Sequence, residues 1–232
     1  MAINSGSGIT HVFLDVDGTL LNTVSWDLIR VALGVETESK ELEKRYHAKE
    51  LSYDEWALAD SSLWIGKDYE KAVECFENPS FNKNVVEGCH RMAEEAGLTL
   101  ILLSGGMDVN CLALTRHLPI SCFFANRLRH EGGKITKVEY TVSLKAKGDI
   151  IREYMETYGL KSEQVAHVGD GCNDISAFEA AGLKIAFRSR DKALKEAADI
   201  VIGEDFLEVA QAIIDRADTS LQGGQRLLPV EE

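Results

Sequence analysis

Proline is scarce in this 232-residue chain, at 3 residues. Neither an internal repeat nor a low-complexity tract accompanies that scarcity, so composition makes no case for long disorder. Cysteine is sparse and unpatterned: Cys75, Cys89, Cys111, Cys122 and Cys172 are odd in number and form no CxxC pair. That usage fits a reducing compartment better than a disulfide framework. Long apolar runs are missing too, with stretches such as LTLILL far short of a membrane span, and the opening MAINSGSGIT lacks the charged start and apolar stretch of a signal peptide. The expected location is therefore cytoplasmic, with no membrane partner. Positive charge is in deficit, 25 Lys and Arg against 38 Asp and Glu for a net charge of −13. Such a balance opposes general nucleic-acid binding, because neutralising phosphates takes an excess of cations. Oligomeric state is left open by these features.

What is present reads as an ordinary globular protein, 45% hydrophobic and 27% charged. Short apolar runs recur at HVFLDV, LTLILLS, ISCFFA, QVAHVGD, LKIAF and DIVI, and most are separated by helix-length stretches. This alternation predicts an α/β fold with a Rossmann-like parallel sheet flanked by helices. One helix is expected from about Asp108 to His117, and another from near Asn173 to Gly182 as its C-cap. RLRHEGGKITKVEY has the pattern of a β-hairpin. Residues 22–84 break the alternation and read as consecutive helices, with Ser52 and Glu55 in a capping-box pattern. Trp26, Trp56 and Trp64 all fall within this segment, where they are expected to fill a small helical core. The expected organisation is a discontinuous core domain over 8–21 and 85–222, a helical cap over 22–84 inserted after the first strand, and flexible termini over 1–7 and 223–232.

Chemistry concentrates at strand ends, where open parallel sheets collect ligands. Asp15 and Asp17 follow the first strand, and near-neighbour carboxylates repel unless a cation or a proton intervenes. GDGCND adds Asp170 and, four residues on, Asp174. A hard cation answers this acidity, and magnesium prefers oxygen ligands beside a substrate phosphate. Asp15, Asp170 and the backbone carbonyl of Asp17 are the expected ligands, with Asp174 in support. Phosphate needs donors as well: LLSGGMD is read as ending the second strand at Ser104, followed by glycine amides at Gly105 and beyond, and Lys147 supplies a point charge.

These four signals together resemble the haloacid dehalogenase-like hydrolase superfamily, in DVDGT (Asp15 to Thr19), Ser104, Lys147 and GDGCND. Within it the sequence is most similar to phosphoserine phosphatases, through SGGMD, FANRL, KGDII and GDGCNDISAFEAAGLKIAF. The resemblance implies a magnesium-dependent phosphatase in which Asp15 is the nucleophile, Asp17 is the general acid and base, and Ser104 and Lys147 assist. Gly18, Ser104, Gly105, Lys147 and Asn173 are then expected around the phosphate or substrate, Asn173 on the resemblance alone. Asp15 and Ser104 are 89 residues apart but Ser104 and Lys147 only 43, which leaves the cap no place other than after the first strand.

The resemblance departs at the substrate anchors. Phosphoserine phosphatases typically carry a glutamate shortly after the first motif and an arginine in the cap. Here Val24 takes the first place and YDEWALADSSLW surrounds the second. Arg30 and Arg45 could substitute but read as surface-facing helical residues. The expected substrate is thus another small-molecule phosphomonoester, its leaving group more apolar or differently charged; phosphoserine phosphatase, phosphomutase and a non-catalytic phosphate-binding module are the alternatives. A dehalogenase would lack Asp17. Cys172 is read as a small filler and His167 as a core histidine. The remaining histidines, His11, His47, His90, His117 and His130, show no metal-ligand spacing.

Overall fold

Apolar runs separated by helical stretches assemble into a seven-stranded sheet in this computed structural model, which describes residues 8–142 and 146–217. The expected flexible termini, 1–7 and 223–232, lie outside the described residues, as does the end of the range expected to reach 222. In chain order, β1 (His11–Leu14) is followed by α1 (Ser25–Leu33), α2 (Glu36–His47), α3 (Tyr53–Ser62), α4 (Tyr69–Glu74) and α5 (Val85–His90). Next come β2 (Thr99–Met107), α6 (Asp108–Leu114), β3 (Ile120–Glu131), β4 (Lys134–Glu139) and α7 (Ala146–Tyr158). The rest alternates regularly: β5 (Val165–Gly169), α8 (Ile175–Ala180), β6 (Leu183–Phe187), α9 (Lys192–Ala197), β7 (Ile200–Ile202) and α10 (Phe206–Ile214).

The strand order is β4-β3-β2-β1-β5-β6-β7. Every pairing is parallel except β3 with β4. β1 lies at the centre and every residue of it is buried, because a parallel sheet covered by helices on both faces has no solvent side. Side chains alternate across it. Val12 and Leu14 pack with Val85, Cys89, Phe206 and Val209 on one face, and Phe13 packs with Ile151 and Tyr154 on the other. Leu14 is in register with both Leu102 and Val168, so β1, β2 and β5 direct their following residues to one edge.

The helical segment between β1 and α5 is anchored to the β3–β4 hairpin. Gly66 N donates to Ile135 O at 2.8 Å, Ile135 N to Lys67 O at 2.9 Å and Tyr69 N to Gly133 O at 3.0 Å. Its Trp26, Ile29 and Trp64 share one apolar cluster with Met107, Leu128 and Ile135. The hairpin turns at Gly132 and Gly133, with φ of 56° and 75°, values that favour glycine. At α3, the expected capping box forms, with Ser52 and Glu55 exchanging bonds.

Four local expectations are corrected. α6 stops at Leu114 and its chain continues in tight turns to His117, because Pro119 disfavours helix in the residue before it. The stretch from Asn173 begins as a 3₁₀ turn, Cys172–Asp174, and α8 starts only at Ile175. α8 ends through Ala181 in an extended conformation, so Gly182 is no left-handed C-cap. A Cβ at Gly182 would instead collide with the Ser162 carbonyl, to which its N–H donates at 2.9 Å. Arg30, finally, is buried rather than surface-facing: its Nε and Nη2 reach Asp60 Oδ2 at 2.9 and 2.7 Å. Asp60 itself has no exposure, and a buried carboxylate demands a cation. Arg45 does face solvent, 3.4 Å from Glu50.

Candidate active site

β1 ends in the tightest part of the molecule. Asp15 N donates to Val168 O at 2.9 Å, which continues the pairing of β1 with β5 by one residue and holds the Asp15 carboxylate at the sheet edge, 2% exposed. The chain then turns sharply, with Leu20 N and Leu21 N both donating to Val16 O. Gly18 takes φ of 82°, and a Cβ there would strike the Asp170 carboxylate. Backbone shape and space both require glycine at that position. Asn82 fastens the turn by donating to the carbonyls of Gly18, Thr19 and Leu21 at 3.0, 2.8 and 3.2 Å.

Asp17 points elsewhere. Its Oδ2 accepts from the Ser25 N–H at 2.9 Å and the Ser25 hydroxyl at 2.6 Å, at the start of α1. Its Oδ1 is buried without a partner among the described residues. Burial pushes the Asp17 carboxyl up to about 6 even though the two Ser25 bonds work against the rise.

Lys147, in the first turn of α7, is buried and reaches Asp15 Oδ1 at 2.5 Å and Asp174 Oδ1 at 2.7 Å. Burial works to lower the lysine's pKa, but the charges of Asp15 and Asp174 outweigh it and hold the ammonium protonated. Asp174 also takes His167 Nε2 at 2.9 Å, and its other oxygen accepts the N–H groups of Asp170 and Gly171 at 3.1 and 3.2 Å. Although burial alone would raise it, Lys147 and His167 keep Asp174 far below the usual carboxylate range. His167 is the hydrogen-bonded core histidine expected, with no exposure, and burial lowers its pKa. For Asp15, burial dominates and pushes the carboxyl well up, with Lys147 opposing and Asp174 and Asp170 reinforcing.

Ser104 does not end β2. The strand runs to Met107, with its pairing to β3 interrupted between Leu103 and Met107. Ser104, Gly105 and Gly106 thus form an irregularity of the kind that re-aims side chains beside active sites; two glycines in sequence had read as a terminus. Gly106 N donates to Ser104 Oγ at 2.9 Å. A Cβ at Gly106 would stand 2.5 Å from Ser25 Oγ and 3.1 Å from Ser104 Oγ, so Ser104 lies next to the Ser25–Asp17 pair. Gly105 O accepts from Trp26 Nε1 at 3.2 Å and Asn126 Nδ2 at 2.9 Å. Asn173 is half-buried in the 3₁₀ turn, beside Gly171. Cys172 faces solvent, so it is not a packing filler. Ser25, Asn82 and Asn126 escaped the sequence reading because each acts on a partner remote in the chain.

Oxygen atoms of Asp15, Asp170 and Asp174 lie within 4.8 Å of one another. Both oxygens of Asp174 are already engaged by Lys147, His167 and backbone N–H groups. Asp15 and Asp170 are the two acids of the group that could hold a cation without giving up those bonds. Asp170 has no ion-pair partner among the described residues, and burial together with Asp174 pushes its carboxyl up to about 6. An all-oxygen acidic pair, Asp15 buried and Asp170 half-buried, fits a hard divalent ion.

Above this edge, α1, α3 and the segment after β4 enclose a cleft of about 260 Å³, lined by Trp26, Tyr53, Asp54, Ala57, Tyr140 and Val142, with Gly105 in its wall. Trp26 is thus both part of the apolar cluster that joins the helical segment to the hairpin and part of the cleft lining.

Comparison with known proteins agrees with this architecture. A family model described as haloacid dehalogenase-like hydrolase matches residues 9–182. Phosphoserine phosphatase of Methanocaldococcus jannaschii is 33% identical over 205 residues, covering 87% of this chain and 96% of the relative. Phosphoserine phosphatase of Campylobacter jejuni subsp. doylei is 28% identical over 206 residues, covering 86% and 97%. A solved structure of a phospho-aspartyl intermediate analogue of phosphoserine phosphatase superposes with a TM-score of 0.77 at 32% identity, covering 89% of this chain and 99% of that one. With its sheet order, its clustered carboxylates and a family match over most of its length, the chain belongs to the haloacid dehalogenase-like hydrolases.

Proposed function

We propose that the protein is a magnesium-dependent phosphatase that hydrolyses a small phosphomonoester through a phosphoryl group carried on Asp15, and that it is not selective for phosphoserine. The observation that carries the reading is the Asp15 carboxylate, buried at the end of the central strand and held by Lys147 at 2.5 Å. A carboxylate fixed so that it cannot swing away is a nucleophile positioned for in-line attack. Asp15 would form a bond to phosphorus as the bond to the leaving oxygen breaks, and Asp17 would give its proton to that oxygen. Water would then attack the acyl phosphate, return a proton to Asp17 and regenerate Asp15. A carboxyl at about 6 suits both halves of this exchange near neutral pH. Asp15 and Asp170 would hold the magnesium ion, which supplies charge neutralisation at the phosphoryl oxygens. Lys147 would offset charge on the same side, and Ser104 with the Gly105 amide would meet the phosphate.

The names of the relatives support phosphoserine as the substrate. Against selectivity stand Val24, 48% exposed at the position of the glutamate anchor, and a cleft whose described lining contains no Lys or Arg to receive an amino-acid carboxylate. Burying a charged group without a partner costs several kcal/mol. Phosphate release from a panel of phosphorylated metabolites, with and without magnesium, tests both halves. Magnesium-dependent turnover is expected, together with an acid-stable phosphorylated peptide containing Asp15 after rapid quenching. Efficient and selective hydrolysis of phosphoserine would overturn the selectivity claim, and an active Asp15→Asn protein would overturn the mechanism.

A further inference from the structure

We infer that the leaving group of the substrate is a small cationic amino alcohol, placing the ester in the phosphocholine and phosphoethanolamine class; this rests on the phosphatase reading above. The cleft over the active edge is the basis. Three of its neutral polar side chains, those of Tyr140, Trp26 and Asn126, are already engaged within the protein. The Tyr140 hydroxyl contacts Ala57 O and Ser61 Oγ, each at 2.7 Å. Trp26 Nε1 is held by Gly105 O. Asn126 donates to the same carbonyl and accepts from Thr141 N and Val142 N, both at 2.9 Å. What these residues leave for a ligand is aromatic surface, with the Trp26 and Tyr140 rings stacked at 6.4 Å between centroids and Tyr53 on the same lining.

Among the described lining residues one carries a formal charge, and it is negative. Asp54 is exposed in the first turn of α3 and makes no ion pair among the described residues. No Lys or Arg appears in the described lining. The Arg30 guanidinium lies 6.0 Å from the Trp26 ring centroid and 5.4 Å from that of Trp56, but its charge is paired with Asp60 and Asp27. Aromatic faces joined to a single carboxylate attract an ammonium group through ring quadrupoles and Coulomb attraction. The same lining repels a carboxylate, which a phosphorylated amino acid would bring. The cleft also adjoins the phosphate site. Gly105, which follows Ser104 directly, is itself part of the lining.

The experiment compares kcat/KM for phosphocholine, phosphoethanolamine and phosphoserine. Two further substrates complete the set: p-nitrophenyl phosphate, and the uncharged isostere of phosphocholine in which tert-butyl replaces trimethylammonium. Phosphocholine is expected to exceed its uncharged isostere by roughly tenfold, and Asp54→Asn is expected to reduce that ratio to within about threefold. Asp54 is exposed and outside the core clusters, so the variant should fold. Equal turnover of the charged and uncharged esters, or a ratio unmoved by Asp54→Asn, overturns the inference while leaving the phosphatase reading intact. Phosphoserine as the best substrate overturns it as well. Failure to hydrolyse any ester, p-nitrophenyl phosphate included, overturns the phosphatase reading itself.

Discussion

Asp15 and Asp17 are separated by one residue, and burial pushes both carboxyls up, yet their hydrogen-bond partners differ. Lys147 holds one, while the other has only the hydroxyl and N–H of Ser25. A group poised to exchange a proton should lose its use when it can no longer ionise. Asp17→Asn is therefore expected to reduce kcat by about 10²- to 10⁴-fold, the usual contribution of a general acid or base. Steady-state assays at saturating substrate check this, and a fall of less than tenfold would remove Asp17 from the proton-carrying role. A second residue-scale prediction concerns stability. His11 opens β1, 7% exposed, with Nδ1 2.8 Å from Thr10 Oγ1 and Nε2 unpartnered among the described residues. Burial lowers its pKa from 6.5 to about 4. The folded state thus resists a proton that the unfolded state accepts below 6.5, so stability is complete above that pH, falls between 6.5 and 4, and levels off below. The slope is about 1.4 kcal/mol per pH unit and the full loss about 3 kcal/mol. Urea unfolding of the wild type and His11→Gln at pH 7.5 and 4.5 should show a smaller pH loss in the variant; identical losses would refute the assignment.

At the scale of elements, Gly182 shows how a residue acts through space rather than conformation. It sits between α8 and β6, where its N–H reaches both Ser162 O and Val165 O. Gly182→Ala places a methyl against the Ser162 carbonyl, and overpacking of this kind typically costs about 1–3 kcal/mol. A fall in the urea midpoint at unchanged m-value is expected, and no change would show that the backbone gives way freely. The sequence held a glycine here but not its reason, because the Ser162 carbonyl is 20 residues back in the chain. A similar limit applies elsewhere. β1, β5 and β6 were legible since a strand buried on both faces must be continuously apolar, and the Ser52–Glu55 box and the EGGK turn were legible since their chemistry is local. Arg30 was not, because its burial depends on Asp60 from another helix. The continuation of β2 through Ser104 to Met107 was hidden by two glycines that local rules read as a stop. For the site, the gathering of Asp15 and Asp170 followed from strand-end placement, and that of Lys147 and Asp174 from their places at helix starts. The engagement of both Asp174 oxygens required side-chain geometry.

Across the whole molecule, stability and ligand binding meet at the sheet edge. Asp15, Asp170 and Asp174 lie within 4.8 Å of one another, while Lys147 bonds Asp15 and Asp174 but not Asp170. Without a divalent cation this edge carries uncompensated repulsion, set against the hydrophobic packing of two sheet faces. A cation that binds only the folded protein adds stability by mass action, about 2.7 kcal/mol at a hundred times its Kd. For a chain of this size that corresponds to a rise in Tm of roughly 5–10 °C. Asp170→Asn separates the two contributions. Removing one charge from the cluster relieves repulsion, so the metal-free variant should melt above the metal-free wild type, by a few degrees for a gain of about 1 kcal/mol. Removing a ligand should also abolish the response to magnesium, so the order of stabilities reverses when the ion is added: wild type below the variant in chelator, above it in excess magnesium. Calorimetry of both proteins in both conditions reads this crossing directly. Parallel shifts in the two proteins would mean that the ion binds elsewhere, and a variant less stable than wild type in chelator would mean that the Asp170 charge is already satisfied within the protein.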